Sequence, residues 1–192
     1  MSLAWFETHL LRSLELAGAR QILLLADPIG VNASLGEGLV TGPGIRYSVE
    51  PVEANDGAFH AKVSVVWSRD ALLVAVGSGN LTFAGMNRNL ECWELLTAGV
   101  PAAPARMLTR SIAAEVIGFL NYLTARVEAG GRAAVTLTAA TVAVSSWLVK
   151  LPATEASVRW LDSTRTPIGE QVVKLLGNDT PTLQVLSPFH DL

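Results

Sequence analysis

The sequence predicts an α/β fold, a mixed β-sheet flanked by helices on both faces, and three patterns carry that expectation. Apolar residues recur at helical spacing over residues 3–17 (Leu3, Phe6, Leu10 and Leu14, with Trp5 and Leu11 alongside). A short unbroken apolar run follows at 21–26, ended by Asp27-Pro28, and suits a strand buried on both faces. Residues 59–67 alternate: Phe59, Ala61, Val63, Val65 and Trp67 share one face, and His60, Lys62, Ser64 and Val66 share the other.

The remaining elements follow in order. Gly18 is placed to stop the first helix. Residues 32–44, with four Gly and one Pro, read as an irregular loop, and 46–52 alternate weakly as a strand. Ser68-Arg69-Asp70 suits a hairpin connection into an apolar strand over 71–76, which Gly77-Ser78-Gly79-Asn80 ends. A strand is expected over 89–98 and a helix around 106–128, broken by Gly130-Gly131. Residues 135–150 fit helix or strand, because Val and Thr are dense and the period is unclear. Strands at 158–161 and 183–186 enclose a helix near 168–176.

Composition narrows the class. The chain has 192 residues, 50% hydrophobic and 16% charged, with a mean hydropathy of +0.38. That is ample apolar mass for a core and unlike a disordered chain. No apolar run approaches the roughly 20 residues of a spanning helix, so no integral membrane segment is expected. The N-terminus reads as an amphipathic helix and not as a signal peptide, which makes the cytoplasm the default compartment. The lone Cys92 leaves no intrachain disulfide framework and no cysteine-cluster metal site. A net charge of −3 argues against a bulk nucleic-acid footprint, while leaving room for a locally basic groove. Eleven Arg but only three Lys (62, 150 and 174) make Lys62, two residues after His60, a residue to notice.

The chemistry concentrates between His60 and Glu91. Positions two apart on a strand project together, so His60 and Lys62 present an imidazole beside an ammonium. Such a pair can bind and attack a phosphoryl group: the Lys stabilises the non-bridging oxygens, and the neutral His attacks phosphorus through a ring nitrogen. If the next strand returns antiparallel, Ser78 and Asn80 come back near His60 and add hydroxyl and amide donors. Glu91, arriving from a third strand, can accept an imidazole N–H and fix its tautomer. Each residue also has an ordinary reading. His60 can be a satisfied strand histidine, Lys62 a solvated strand residue, Gly-Ser-Gly-Asn plain turn chemistry, and Glu91 an edge residue.

The pattern His60-x-Lys62, then Gly77-Ser78-Gly79-Asn80-Leu81-Thr82 with Gly85, Asn89 and Glu91, resembles the first-half motif of the phospholipase D superfamily. Trp67 stands where the common form of that motif carries an Asp. In this the chain is similar to the tyrosyl-DNA phosphodiesterase branch, which uses His, Lys and Asn without that Asp. The resemblance is specific over residues 57–94 and weaker at the N-terminal helix and strand and at Ser187-Pro188-Phe189.

The resemblance implies one half of a phospholipase D-like fold and a two-step phosphodiester transfer with no metal or other cofactor. His60 would be the covalent nucleophile or the general acid. Lys62 and Asn80 would clamp the phosphate, Ser78 and Gly79 would line it, and Glu91 would orient an active-site His. It also implies a second half, in cis on a longer chain or from a homodimer. Residues 1–180 are then the N-terminal half and 181–192 the first strand of a second. Nucleic acid is the preferred substrate. The alternatives are a phospholipid-directed phosphodiesterase and a degenerate half that binds nucleic acid or a partner protein. High hydrophobic content predicts an apolar seam and self-association. His190 reads as a second-half strand residue, His9 as structural, Cys92 as a small core residue, and the five Trp mostly as core.

Overall fold

A computed structural model of the chain describes residues 1–54, 57–99, 105–153 and 158–176. They fall into two compact units, Met1–Ser157 and Val158–Leu192. The expected division at 180/181, the strand at 183–186, Ser187-Pro188-Phe189 and His190 lie outside the described residues.

The first helical segment is continuous from Leu3 to Leu16 and changes pitch on the way. It starts as α1 (Leu3–Trp5), widens into a π-helical stretch at Phe6–Leu11 and finishes as α2 (Arg12–Leu16). Ser2 caps it, its hydroxyl accepting the Trp5 N–H at 3.2 Å. Gly18, at φ +89°, ends it in the left-handed region that favours glycine. Leu3, Phe6 and Leu11 are buried with Tyr47, and Leu24, Val49 and Leu81 pack against that cluster. Glu7 ties the following loop to the helix, accepting the Gly42 N–H at 2.8 Å and the Tyr47 hydroxyl at 2.7 Å.

The strands form two sheets and not the single mixed sheet that the sequence predicts. β1 (Leu23–Ala26) pairs parallel with β2 (Ser48–Pro51), Leu23 opposite Ser48. Between them α3 (Pro28–Leu35) occupies the start of the segment expected as loop. Asp27 is its N-cap, its carboxylate accepting the Ile29 N–H at 3.0 Å, and Pro28 takes the first turn, where its missing N–H costs nothing. That cap outweighs the poor helix propensity of Gly30, Asn32 and Ser34.

The second sheet runs in the order β3 (Val63–Trp67), β4 (Leu72–Gly77), β5 (Trp93–Ala98), β6 (Arg106–Met107). The first two pairings are antiparallel and the last is parallel. The expected hairpin at Ser68-Arg69-Asp70 closes with Ser68 N–H donating to Ala71 O at 2.8 Å. β3 is shorter than the alternation predicts, because His60 and Lys62 precede its regular ladder. The Gly77 N–H nevertheless bonds to Lys62 O at 3.0 Å, so the pairing reaches Lys62.

Helices α4 (Arg110–Thr124) and α5 (Arg132–Trp147) pack on each other, and α5 also contacts β2 and β3. α4 buries Ile112, Val116, Phe119, Leu120 and Leu123, a single stripe at helical spacing. α5 answers with Ala133, Leu137, Ala140 and Val144, so the ambiguous 135–150 segment is helical for most of its length. Arg110, at the start of α4, donates to Leu148 O and Leu151 O and so satisfies carbonyls at the end of α5. In the second unit α6 (Ile168–Leu176) forms as the sequence predicts. The strand expected at 158–161 does not form; Asp162 instead organises a turn, accepting the Trp160 indole N–H at 2.6 Å and the Thr164 N–H at 2.9 Å.

Candidate active site at the open end of the second sheet

The site lies where β4 ends and β5 begins, beside the residues that lead into β3. Val63 pairs with Val76, and the Gly77-to-Lys62 bond continues that register by one residue. On the other side Gly77 pairs with Trp93, and the Ser78 N–H bonds to Cys92 O at 3.0 Å. Three strands therefore bring Lys62, Gly77 and Trp93 into one row, with directly opposed residues pointing to the same face.

The connection from Ser78 to Leu90 is held at several points. The Ser2 N–H donates to Leu81 O at 2.8 Å, and Leu81 packs on the N-terminal core. Within the loop, Thr82 N–H bonds to Asn80 O, and Thr82 Oγ1 accepts the Gly85 N–H at 3.1 Å. A π-helical turn follows at Ala84–Arg88. Gly85 lies so close to Asn80 that a Cβ there would stand 2.4 Å from the Asn80 carbonyl oxygen. Only glycine fits this approach.

Glu91 is the hub. Its carboxylate accepts the Ser78 hydroxyl at 2.5 Å and the Asn89 amide at 3.3 Å. Ser78 Oγ in turn accepts the Cys92 N–H at 3.0 Å. The Lys62 ammonium donates to His60 O at 3.0 Å. Burial pulls Lys62 below the ordinary lysine value, and the Glu91 carboxylate opposes that pull, so the two side chains feel each other's charge. Partial burial likewise lowers His60, and the Lys62 ammonium adds to it, favouring the neutral imidazole.

His60, Lys62, Ser78 and Glu91 thus share one end of the sheet, and Asn80 sits exposed in the adjoining loop, its backbone engaged in the turn. Gly79 is buried under that loop. A Cβ on it would meet Gly85 O at 2.8 Å. Glu91 engages Ser78 and Asn89; among the described residues the His60 ring has no hydrogen-bond partner. Cys92 is exposed and not the core residue expected of it. Trp93, expected in the core, is 38% exposed, and its ring lies against Gly77. The alternation Gly77-x-Gly79 opposite Trp93 was the available signal, since two glycines on one face leave room for a ring to lie flat.

Among the described residues no helix is long and apolar enough to cross a membrane, and no three His, Cys, Asp or Glu side chains gather as a metal site would require. Comparison with protein-family models, with curated proteins and with solved structures returns no match to the chain.

Proposed function

We propose that this chain is one half of a phospholipase D-like phosphodiesterase that acts on nucleic acid through a phosphohistidine on His60. The observation behind the reading is the convergence of an imidazole biased toward its neutral form, an ammonium and a carboxylate-anchored hydroxyl at one exposed sheet end. In the first step a His60 ring nitrogen attacks phosphorus. The phosphorus–oxygen bond to the leaving group breaks, and an acid from the second half protonates that oxygen. Lys62 balances charge on the non-bridging oxygens, so the step needs no metal. Asn80 adds amide donors to the same oxygens, and Ser78, whose one hydroxyl proton is given to Glu91, lines the site through that pair. Water then attacks the phosphohistidine, giving its proton to the second-half acid that was deprotonated in the first step; the nitrogen–phosphorus bond breaks, releasing the monoester and regenerating the neutral imidazole.

Glu91 acts through its neighbours. By accepting from Ser78 and Asn89 it fixes the loop, and its charge opposes the pull of burial on the Lys62 ammonium. The second half comes from a longer chain or a second subunit.

An activated aryl phosphodiester separates the roles, because nitrophenolate leaves without an acid and His60 alone suffices for the first step. The expected result is a burst of nitrophenolate approaching one per chain, with an acid-labile, alkali-stable phosphoprotein. His60→Asn abolishes both, and Lys62→Ala slows the burst by at least about a hundredfold, the scale of losing one charge-stabilising donor. A chain without a burst, or a burst that survives His60→Asn, overturns the reading.

A further inference from the structure

We infer that Trp93 is a stacking platform for the base beside the reacting phosphate, which makes the substrate an unpaired nucleic-acid strand. The inference rests on the phosphodiesterase reading for its phosphate and on separate geometry for its base.

That geometry begins with two glycines. A Cβ built on Gly77 would fall 2.4 to 2.8 Å from three atoms of the Trp93 ring, and one on Gly79 would fall 3.2 Å from its Cζ2. The indole therefore lies down along the bare backbone of β4 and covers Gly77. One ring face is taken up by the sheet, yet the residue remains 38% exposed. A tryptophan serving only as core would bury both faces. Here a large π surface is held rigid and turned outward, which is the low-entropy form of a recognition surface.

Its position relative to Lys62 supplies the second half of the argument. Lys62, Gly77 and Trp93 form one row across three strands, so the two outer Cα atoms stand about 10 Å apart at the usual strand spacing. The ring leans over Gly77 and shortens the gap to the Lys62 side chain. A nucleotide whose phosphate rests on Lys62 and His60 then has its base within reach of the indole. The same connection exposes Phe83, 44% accessible, with the Arg88 guanidinium 4.9 Å above its ring centroid. A cation on an exposed ring gives a second surface of the kind single strands use. In a duplex the base is already stacked on its neighbours and presents no face to a protein ring.

The test measures binding of the full chain to a fluorescein-labelled oligothymidylate and to an abasic strand of the same length. The parent is expected to bind the base-bearing strand about tenfold more tightly, within the range for one protein–base stack. Trp93→Leu, which keeps apolar bulk without a π face, removes that preference, and Trp93→Phe keeps most of it. Lys62→Ala weakens both strands by a similar factor. Equal affinity of the parent for the two strands, or a preference that survives Trp93→Leu, overturns the platform. The nitrophenyl burst reports on catalysis independently. A base preference that Trp93→Leu abolishes, in a chain without a burst, leaves the platform standing and removes the enzyme. A burst with no base preference does the reverse.

Discussion

The two ends of the four-stranded sheet use glycine for opposite purposes. At the hairpin end Gly99, at φ +86°, packs its backbone against Asp70 and Trp147; a Cβ there would stand 2.1 Å from the Asp70 carbonyl oxygen and 2.7 Å from the Trp147 ring. The paired residues Leu72 and Ala98 beside it are buried. At the other end Gly77 and Gly79 clear space for the Trp93 ring, and beside it Ser78 and Asn89 both donate to Glu91. Close packing makes the hairpin end contribute to stability. The open end holds a lysine at some electrostatic cost, which is a feature of sites shaped by something besides stability.

Gly99→Ala is the substitution expected to cost the most. The substitution forces a side chain into the left-handed region and into the Asp70 carbonyl, so a loss of about 3 kcal/mol is expected from the two penalties together. Urea denaturation measures it. His60→Asn, at the exposed end, is expected to stay within about 0.5 kcal/mol of the parent. If the Gly99 variant unfolds like the parent, the hairpin end is not the stabilising one.

Ser78→Ala is the intermediate case. It removes a hydroxyl that donates to Glu91 and accepts from the Cys92 N–H, leaving both partners to water. Because the residue is exposed, about 1 kcal/mol is expected, the usual net value of such a bond. A larger loss would mean that the open end also holds the sheet together.

How much of this was legible in the sequence depends on how local each signal is. The β3–β4 hairpin was readable because alternation and turn chemistry lie within a dozen residues. Helix α3 was hidden by Gly30, Asn32 and Ser34, although Asp27-Pro28 announced its cap. α5 looked undecided over 135–150 because Val and Thr are dense there, and its buried Leu137, Ala140 and Val144 acquire meaning only against α4. The separation into two sheets depends on which strands meet, and pairing between distant segments leaves no trace in any one strand. His60 and Lys62 were legible from their spacing of two, and Ser78 from its place at a strand end. Asn89 as a partner of Glu91 and Trp93 as an exposed ring required the register of β4 on β5.

The finest test concerns charge at the open end. Lys62 is held below the ordinary lysine value, chiefly by burial. The unfolded chain therefore binds that proton more tightly, and stability rises with pH between the lowered value and 10.5. At neutral pH the cost is fully present. Lys62→Met is accordingly expected to leave stability unchanged or to raise it by up to about 0.5 kcal/mol, while removing phosphate affinity. The same variant withdraws one of the causes that lower His60, so the imidazole midpoint should move upward toward 6.5. Proton NMR of the ring Cε1–H reads it, with His60→Asn assigning the signal. In the parent, stability also rises with pH between the lowered His60 midpoint and 6.5, because the unfolded histidine holds its proton more tightly there; Lys62→Met narrows that window. An unmoved midpoint would mean that burial and the N-terminal ammonium set the His60 proton and that the two side chains act as neighbours without electrostatic coupling.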